Sequence, residues 1–145
     1  MSHTYPHNLV HCVFSTKERS NLIRNPADLW RYVAVLAHAK NIHVISAGGT
    51  VNHIHLLILL PQTITLAKAM QELKANTSRW LRETSSQFQW QEGYGAFSVS
   101  ESQRTAVADY IANQAEHHRT RSFEQEFAAL LAKSGLEYDP RFVFG

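Results

Sequence analysis

The sequence predicts an α+β domain: a ferredoxin-like (RRM-like) antiparallel sheet with helices on one face, plus a further helix toward the C-terminus. Three observations predict it. Several short runs are rich in β-branched, aromatic or aliphatic residues and bounded by polar or glycine-containing segments. Longer segments between and after them carry apolar residues in a three-and-four rhythm. Two of the runs follow each other closely enough to form a hairpin. The resulting order is strand, helix, strand, strand, helix, strand, helix, helix. A strand-helix-strand unit needs a parallel pair and a hairpin an antiparallel one, and an antiparallel-dominated sheet backed by helices satisfies both.

"NLVHCVFST" (Asn8 to Thr16) reads as the first strand. In "NPADLWRYVAVLAHAKN", Asn25 is placed to cap a helix with Pro26 at its first position, and Leu29, Trp30, Val33, Leu36 and Ala37 form its apolar stripe. "HVISAGGTV" and "HIHLLILLP" make the hairpin, which Pro61 ends because proline lacks a ladder donor. The next helix, with Thr65 as cap, spaces Leu66, Ala69, Met70, Leu73, Thr77, Trp80 and Leu81 on one face. "GYGAFSVSE" is a short strand entered through Gly93 and Gly95. "SQRTAVADYIANQAEHHRT" is expected to be one helix, "FEQEFAALLAKSG" a shorter one stopped by Gly135, and "LEYDPRFVFG" an irregular tail.

At 145 residues and 44% apolar content, one domain spanning 1–145 is expected, with an ordinary core. No run is long and apolar enough to span a bilayer, and the start lacks the pattern of a secretory signal, so a cytoplasmic protein is expected. The single cysteine, Cys12, cannot form an intrachain disulfide and sits inside a strand-like run, which reads as core. A net charge of +2 neither requires nor excludes a polyanionic partner. The cations are uneven, however. Lys17, Arg19 and Arg24 form one group, Lys68, Lys74, Arg79 and Arg82 another, and Arg119 and Arg121 adjoin a histidine pair. Such groups suit either solvated helix faces or a phosphate-binding surface.

The polar residues that a core does not explain are His53 and His55 in "VNHIHLLILLP". Alternation along a strand puts both imidazoles on one face, with Cα atoms about 6.6 Å apart. One metal ion between them and an ordinary hydrogen-bonded pair are both compatible with that spacing. A single cysteine excludes a cysteine-based zinc site and no H-E-x-x-H occurs, so a third ligand is expected to be an oxygen donor. In "VADYIANQAEHH", Tyr110 and Gln114 lie four apart and would share a helix face, although either also fits an ordinary structural position.

Taken together, "HIH", "YIANQAEHH", "FSTKERSNLI", "LKANTSRWL" and "WQEGYGAFSVS" resemble, in this order and over nearly the whole chain, the HUH single-tyrosine transposases of the insertion sequence 200/605 family. The resemblance implies His53, His55 and Gln114 as metal ligands, a divalent cofactor (Mg2+ or Mn2+) and Tyr110 as nucleophile. It also implies single-stranded DNA with imperfect hairpins as substrate, and a homodimer whose active sites are shared between subunits. The polar connection "SVSESQRT" is long enough to redirect the tyrosine helix toward a partner. Ala75 stands where the resemblance expects glycine, and His117 and His118 match without an implied role. Two neutral imidazoles and a neutral amide would leave the ion's charge available to a phosphate. Three other readings compete: a domesticated hairpin-specific HUH nuclease, a hydrolase in which water attacks, and a non-catalytic ferredoxin-like nucleic-acid-binding module. The last would call for aromatics on the central strands, where this chain has histidines and aliphatics.

Overall fold

A computed structural model describes residues 3–139. Four strands, β1 (Leu9–Ser15), β2 (His43–Gly49), β3 (His53–Leu59) and β4 (Gly95–Ser98), form one antiparallel sheet in the order β2-β3-β1-β4. Helix α1 (Pro26–Ala39) crosses from β1 to β2 and α2 (Leu66–Arg82) from β3 to β4. This is the expected ferredoxin-like arrangement. The last six residues of the expected irregular tail, 140–145, lie outside the described ones.

Strand alternation divides the core into two. Val10, Cys12 and Phe14 of β1 and Ile54, Leu56 and Ile58 of β3 bury one face against Leu29, Val33 and Ala37 of α1 and Ala69, Met70 and Leu73 of α2. Each aliphatic side chain removed from water there contributes roughly 1.5–3 kcal/mol before its entropy cost. The opposite face carries Leu9, His11, Val13 and Ser15, which pair with Leu59, Leu57, His55 and His53. Three C-terminal helices cover it: α3 (Arg104–Ala112), α4 (Gln114–His117) and α5 (Phe123–Lys133). Helices thus occupy both faces, with the tyrosine-bearing segment on the face that holds the histidines.

Local chemistry explains most element ends. Thr65 caps α2 by accepting from the Lys68 amide at 3.1 Å. Asn25 caps α1 with its backbone carbonyl alone, since its side chain makes no capping bond. Ser122 and Gln125 close a reciprocal capping box on α5. Gly135, at φ 70°, ends α5: its amide bonds to the Ala132 carbonyl and that of Leu136 to Leu131.

The expected single helix over residues 102–120 is broken. A 3-10 turn occupies Glu101–Gln103, α3 stops at Ala112, and Asn113 (φ −103°, ψ 28°) separates it from the single-turn α4. The Asp109 carbonyl accepts both the Asn113 amide at 3.1 Å and the Asn113 side-chain Nδ2 at 2.8 Å, so this asparagine closes the last turn of α3.

Candidate active site

His53 and His55 project from β3 into the layer beneath the C-terminal helices, and both are fully buried. His55 Nε2 lies 2.8 Å from Glu126 Oε1, His118 Nε2 3.0 Å and His53 Nε2 3.6 Å from the same oxygen. Tyr110 donates its hydroxyl to Glu126 Oε2. One carboxylate therefore collects three histidines and the tyrosine. His53, His55, His118 and Glu126 each offer a ligand atom, all within 4.8 Å of one another. Gln114, also buried, places Oε1 3.1 Å from His53 Nε2.

The surrounding hydrogen bonds decide which atoms face inward. Asn52 Oδ1 lies 2.9 Å from His53 Nδ1 and can only accept, so the proton belongs on Nδ1 and the Nε2 lone pair points into the cluster. Gln114 Nε2 sits 3.4 Å from the Tyr110 carbonyl, which orients the amide oxygen inward as well. Two acceptors, His53 Nε2 and Gln114 Oε1, consequently face each other without a proton between them, an arrangement a cation satisfies. On the far side of His55, Nδ1 meets His11 Nε2 at 2.8 Å; with His55 Nε2–H donated to the Glu126 carboxylate, Nδ1 is the acceptor of this bond and His11 the donor.

Electrostatics follow from burial. Burial, reinforced by the neighbouring imidazole of His55, lowers both His11 and His53 to about 3, and burial likewise lowers His55, so all three are neutral lone-pair donors near pH 7. Burial alone would raise Glu126, but the hydrogen bond from His55 and its other partners outweigh it and hold the carboxyl below the usual carboxylate range. Tyr110 is pushed up to about 12, first by burial and then by its bond to Glu126. Arg121 Nη2 stands 3.4 Å from the phenol oxygen and His117 stacks on its ring at 4.6 Å. Cys12 faces the opposite core, its thiol raised to about 12 by burial, as expected of a structural residue.

All four residues singled out in the sequence, His53, His55, Tyr110 and Gln114, come together, and they do so within one chain. Helix α3 lies on its own sheet: Ser46 Oγ donates to the Ala108 carbonyl at 2.9 Å, and Ile111 packs with Leu9 and Leu57. Gly48 makes this approach possible, because a Cβ there would lie 1.9 Å from the Ile111 carbonyl oxygen. In this single chain the connection brings the helix onto its own sheet. Tyr110 and Gln114 also reach the site differently from the expected shared helix face, since the break at Asn113 turns Gln114 inward.

Three further residues were not legible as site residues. His118 had no assigned role, and His11 lay in a strand read only as core. Glu126 was missed, although it carried a signal: it occupies the apolar stripe of α5 with Phe123, Phe127, Leu130 and Leu131, where an ionisable side chain needs a partner. Its carboxylate lies among the neutral donors that the sequence singled out.

The model of the family described as "Transposase IS200 like" matches residues 4–114 of this chain. The chain belongs to the IS200-like transposase family. The match ends at Gln114, so His118 and Glu126 lie beyond it. Among solved structures, the fold is similar to that of a protein assigned as a transposase from Deinococcus radiodurans R1, with a TM-score of 0.61 and 20% identity over 79% of this chain and 96% of that one. It is also similar to a REP-associated tyrosine transposase bound to a REP hairpin, with a TM-score of 0.57 and 14% identity over 77% and 70% of the two chains. At these identities the likeness speaks for the fold. No protein of curated function matches the chain in sequence. No described helix of this transposase-family chain is long and apolar enough to cross a membrane.

Proposed function

We propose that this protein cleaves and rejoins single-stranded DNA at transposon-end hairpins, with Tyr110 as nucleophile and a divalent metal held by His53, His55 and Gln114. The observation that carries the reading is the convergence of Tyr110, His55 and His118 on the Glu126 carboxylate, with His53 and Gln114 alongside. Glu126 and His118 complete the donor set. Magnesium or manganese fits the oxygen donors, and the preponderance of imidazoles favours manganese. Bound there, the ion would polarise the scissile phosphate and neutralise charge developing on it.

The chain's own residues supply the rest. The Tyr110 oxygen attacks phosphorus, a P–O bond to tyrosine forms, and the bond to the 3′ oxygen breaks. The phenol proton is lost and the departing 3′ oxygen gains one. The phosphodiester energy is retained in a 5′-phosphotyrosine linkage, and a 3′-hydroxyl from another strand reverses the step without nucleotide hydrolysis. Arg121, beside the phenol oxygen, is placed to favour the phenolate and meet the phosphate.

Denaturing electrophoresis after incubation with hairpin-containing single strands tests this reading. Wild-type protein should remain attached to a DNA fragment, and Tyr110→Phe should bind DNA but leave no attachment. Cleavage by the phenylalanine variant at the wild-type rate would refute it, favouring attack by water. Binding without cleavage by wild-type protein would favour the binding module, and terminal palindromes missing from the surrounding genomic DNA would favour a domesticated nuclease. A homodimer with shared sites requires α3 to leave its own sheet for the partner's. Mixing Tyr110→Phe with His55→Ala subunits decides this: rescue of cleavage supports the shared site, and no rescue despite demonstrated heterodimers supports a site built within one chain.

A further inference from the structure

His53 and His55 share a strand face but differ in which nitrogen carries the proton. His53 Nδ1 lies 2.9 Å from Asn52 Oδ1, an atom that only accepts, so the lone pair of its Nε2 already faces the cluster. His55 is held the other way round. Its Nε2 donates to Glu126 Oε1 at 2.8 Å, and its Nδ1 accepts from His11 Nε2, also at 2.8 Å. A ring nitrogen that carries a proton has no lone pair for a metal ion, so His55 in this state offers its inward nitrogen to the carboxylate alone.

The residue behind His55 decides whether this can change. A carbonyl or carboxylate there would fix Nδ1 as the protonated nitrogen, and an ammonium or guanidinium would fix it as the acceptor. A neutral imidazole can do either. Burial lowers both His11 and His55, so each ring is neutral, with one nitrogen that donates and one that accepts. The sheet sets their contact: His11 stands opposite Leu57 and His55 opposite Val13, which makes the two rings diagonal neighbours on one face. His11 also borders a cleft of about 540 Å³ between β4, α3 and α5, lined as well by Phe97, Val107, Leu130 and the exposed Lys133. His11 therefore touches the metal-site histidine and a cleft outside the cluster.

We propose that His11 is a positioning residue of the metal site and that metal binding reverses its hydrogen bond to His55. As Nε2 of His55 turns to the ion, its proton is released to water, the proton on His11 Nε2 moves to His55 Nδ1, and His11 Nδ1 takes one from water in the cleft. Each ring holds one proton before and after, so neither changes charge. In the metal-free state the buried Glu126 carboxylate keeps a donor, and in the metal-bound state His55 is oriented by an N–H that donates to His11. The proposal rests on the reading of His55 as a ligand and adds a residue which that reading does not include.

The test uses full-length protein isotope-labelled at the histidine nitrogens, whose NMR shifts report which nitrogen of each ring carries the proton. Zinc serves as the diamagnetic probe for these spectra, and manganese as the probe for affinity. In metal-free protein both His11 and His55 should carry the proton on Nε2, and zinc should move both protons to Nδ1. Manganese affinity, from melting temperatures across metal concentrations, should fall about 10–100-fold in His11→Phe, the usual cost of removing an outer partner of a metal-bound histidine. His11→Gln, whose amide can present either its NH2 or its oxygen where Nε2 stood, should recover most of that loss. A merely structural role would lower the metal-free melting temperature of the variants without separating their affinities. The wild-type spectra decide the reversal even where the phenylalanine variant fails to fold. If His11 Nε2 keeps its proton in the zinc-bound protein, or His11→Phe binds manganese as tightly as wild type, the proposal is overturned, while an intact Tyr110 adduct leaves the cleavage reading standing. Reversal in the spectra without any adduct supports the role of His11 and refutes the cleavage reading. If wild-type protein binds neither metal, both fall.

Discussion

Replacing Glu126 by glutamine keeps the shape of the side chain and removes the charge on which the site converges. The carboxylate accepts from three donors, the imidazoles of His55 and His118 and the phenol of Tyr110. An amide has one oxygen, and its NH2 group must face at least one of these donors. Leaving one buried polar group unsatisfied costs about 1–3 kcal/mol, a fall of about 3–9 °C in the melting temperature of metal-free protein. The metal response separates this cost from the proposed ligand role. With manganese at 100 times its dissociation constant, wild-type protein should gain about 2.7 kcal/mol; an affinity about 100-fold weaker in Glu126→Gln reduces the gain to about 0.4 kcal/mol at the same concentration. Thermal melts with chelator and with manganese read both quantities. A Glu126→Gln protein that melts lower yet gains as much from manganese as wild type would show that Glu126 is a structural acceptor outside the ligand set.

His55→Ala and chelated wild type should both lose cleavage, and excess manganese should restore only the wild type; persistent cleavage in chelator would return the histidine pair to a structural role. Metal-free protein should lose stability as the pH falls from about 6.5 toward 3, measured by denaturant midpoints. His11 and His53 are neutral in the fold, with values lowered from 6.5 to about 3, and bind protons on unfolding, so their contribution is full above 6.5 and lost through that window. Glu126, held low, acts in the same direction at the acid end. Equal stability at pH 7 and pH 5 would contradict this. Gly48→Ala forces α3 away from β2, because its Cβ would meet the Ile111 carbonyl oxygen at 1.9 Å. It should cost about 1–3 kcal/mol and reduce adduct formation more than DNA binding, and a variant with unchanged adduct yield would refute the importance of that contact.

The sequence by itself determined the sheet, its two backing helices and the side of the sheet on which chemistry is placed. These are consequences of local rules: period-two alternation puts His53 and His55 on one face, period-3.6 spacing builds the stripes of α1 and α2, and Thr65 and Gly135 mark element ends by hydrogen bonding and backbone geometry. Residues close in the chain, such as the histidine pair or Tyr110 and Gln114, were legible for the same reason. Tertiary structure decided the rest. His11, His118 and Glu126 join the site from three separate elements, and each is unexceptional within its own segment. Whether α3 returns to its own sheet depends on Gly48 meeting a carbonyl 63 residues away in the chain, a contact no local period encodes. The break at Asn113 likewise gains its meaning only from what it turns Gln114 toward. A buried carboxylate is stable only where donors surround it, so the partners of Glu126 are a property of the packed chain, in which β1, β3, α3 and α5 first come within hydrogen-bonding distance of one another.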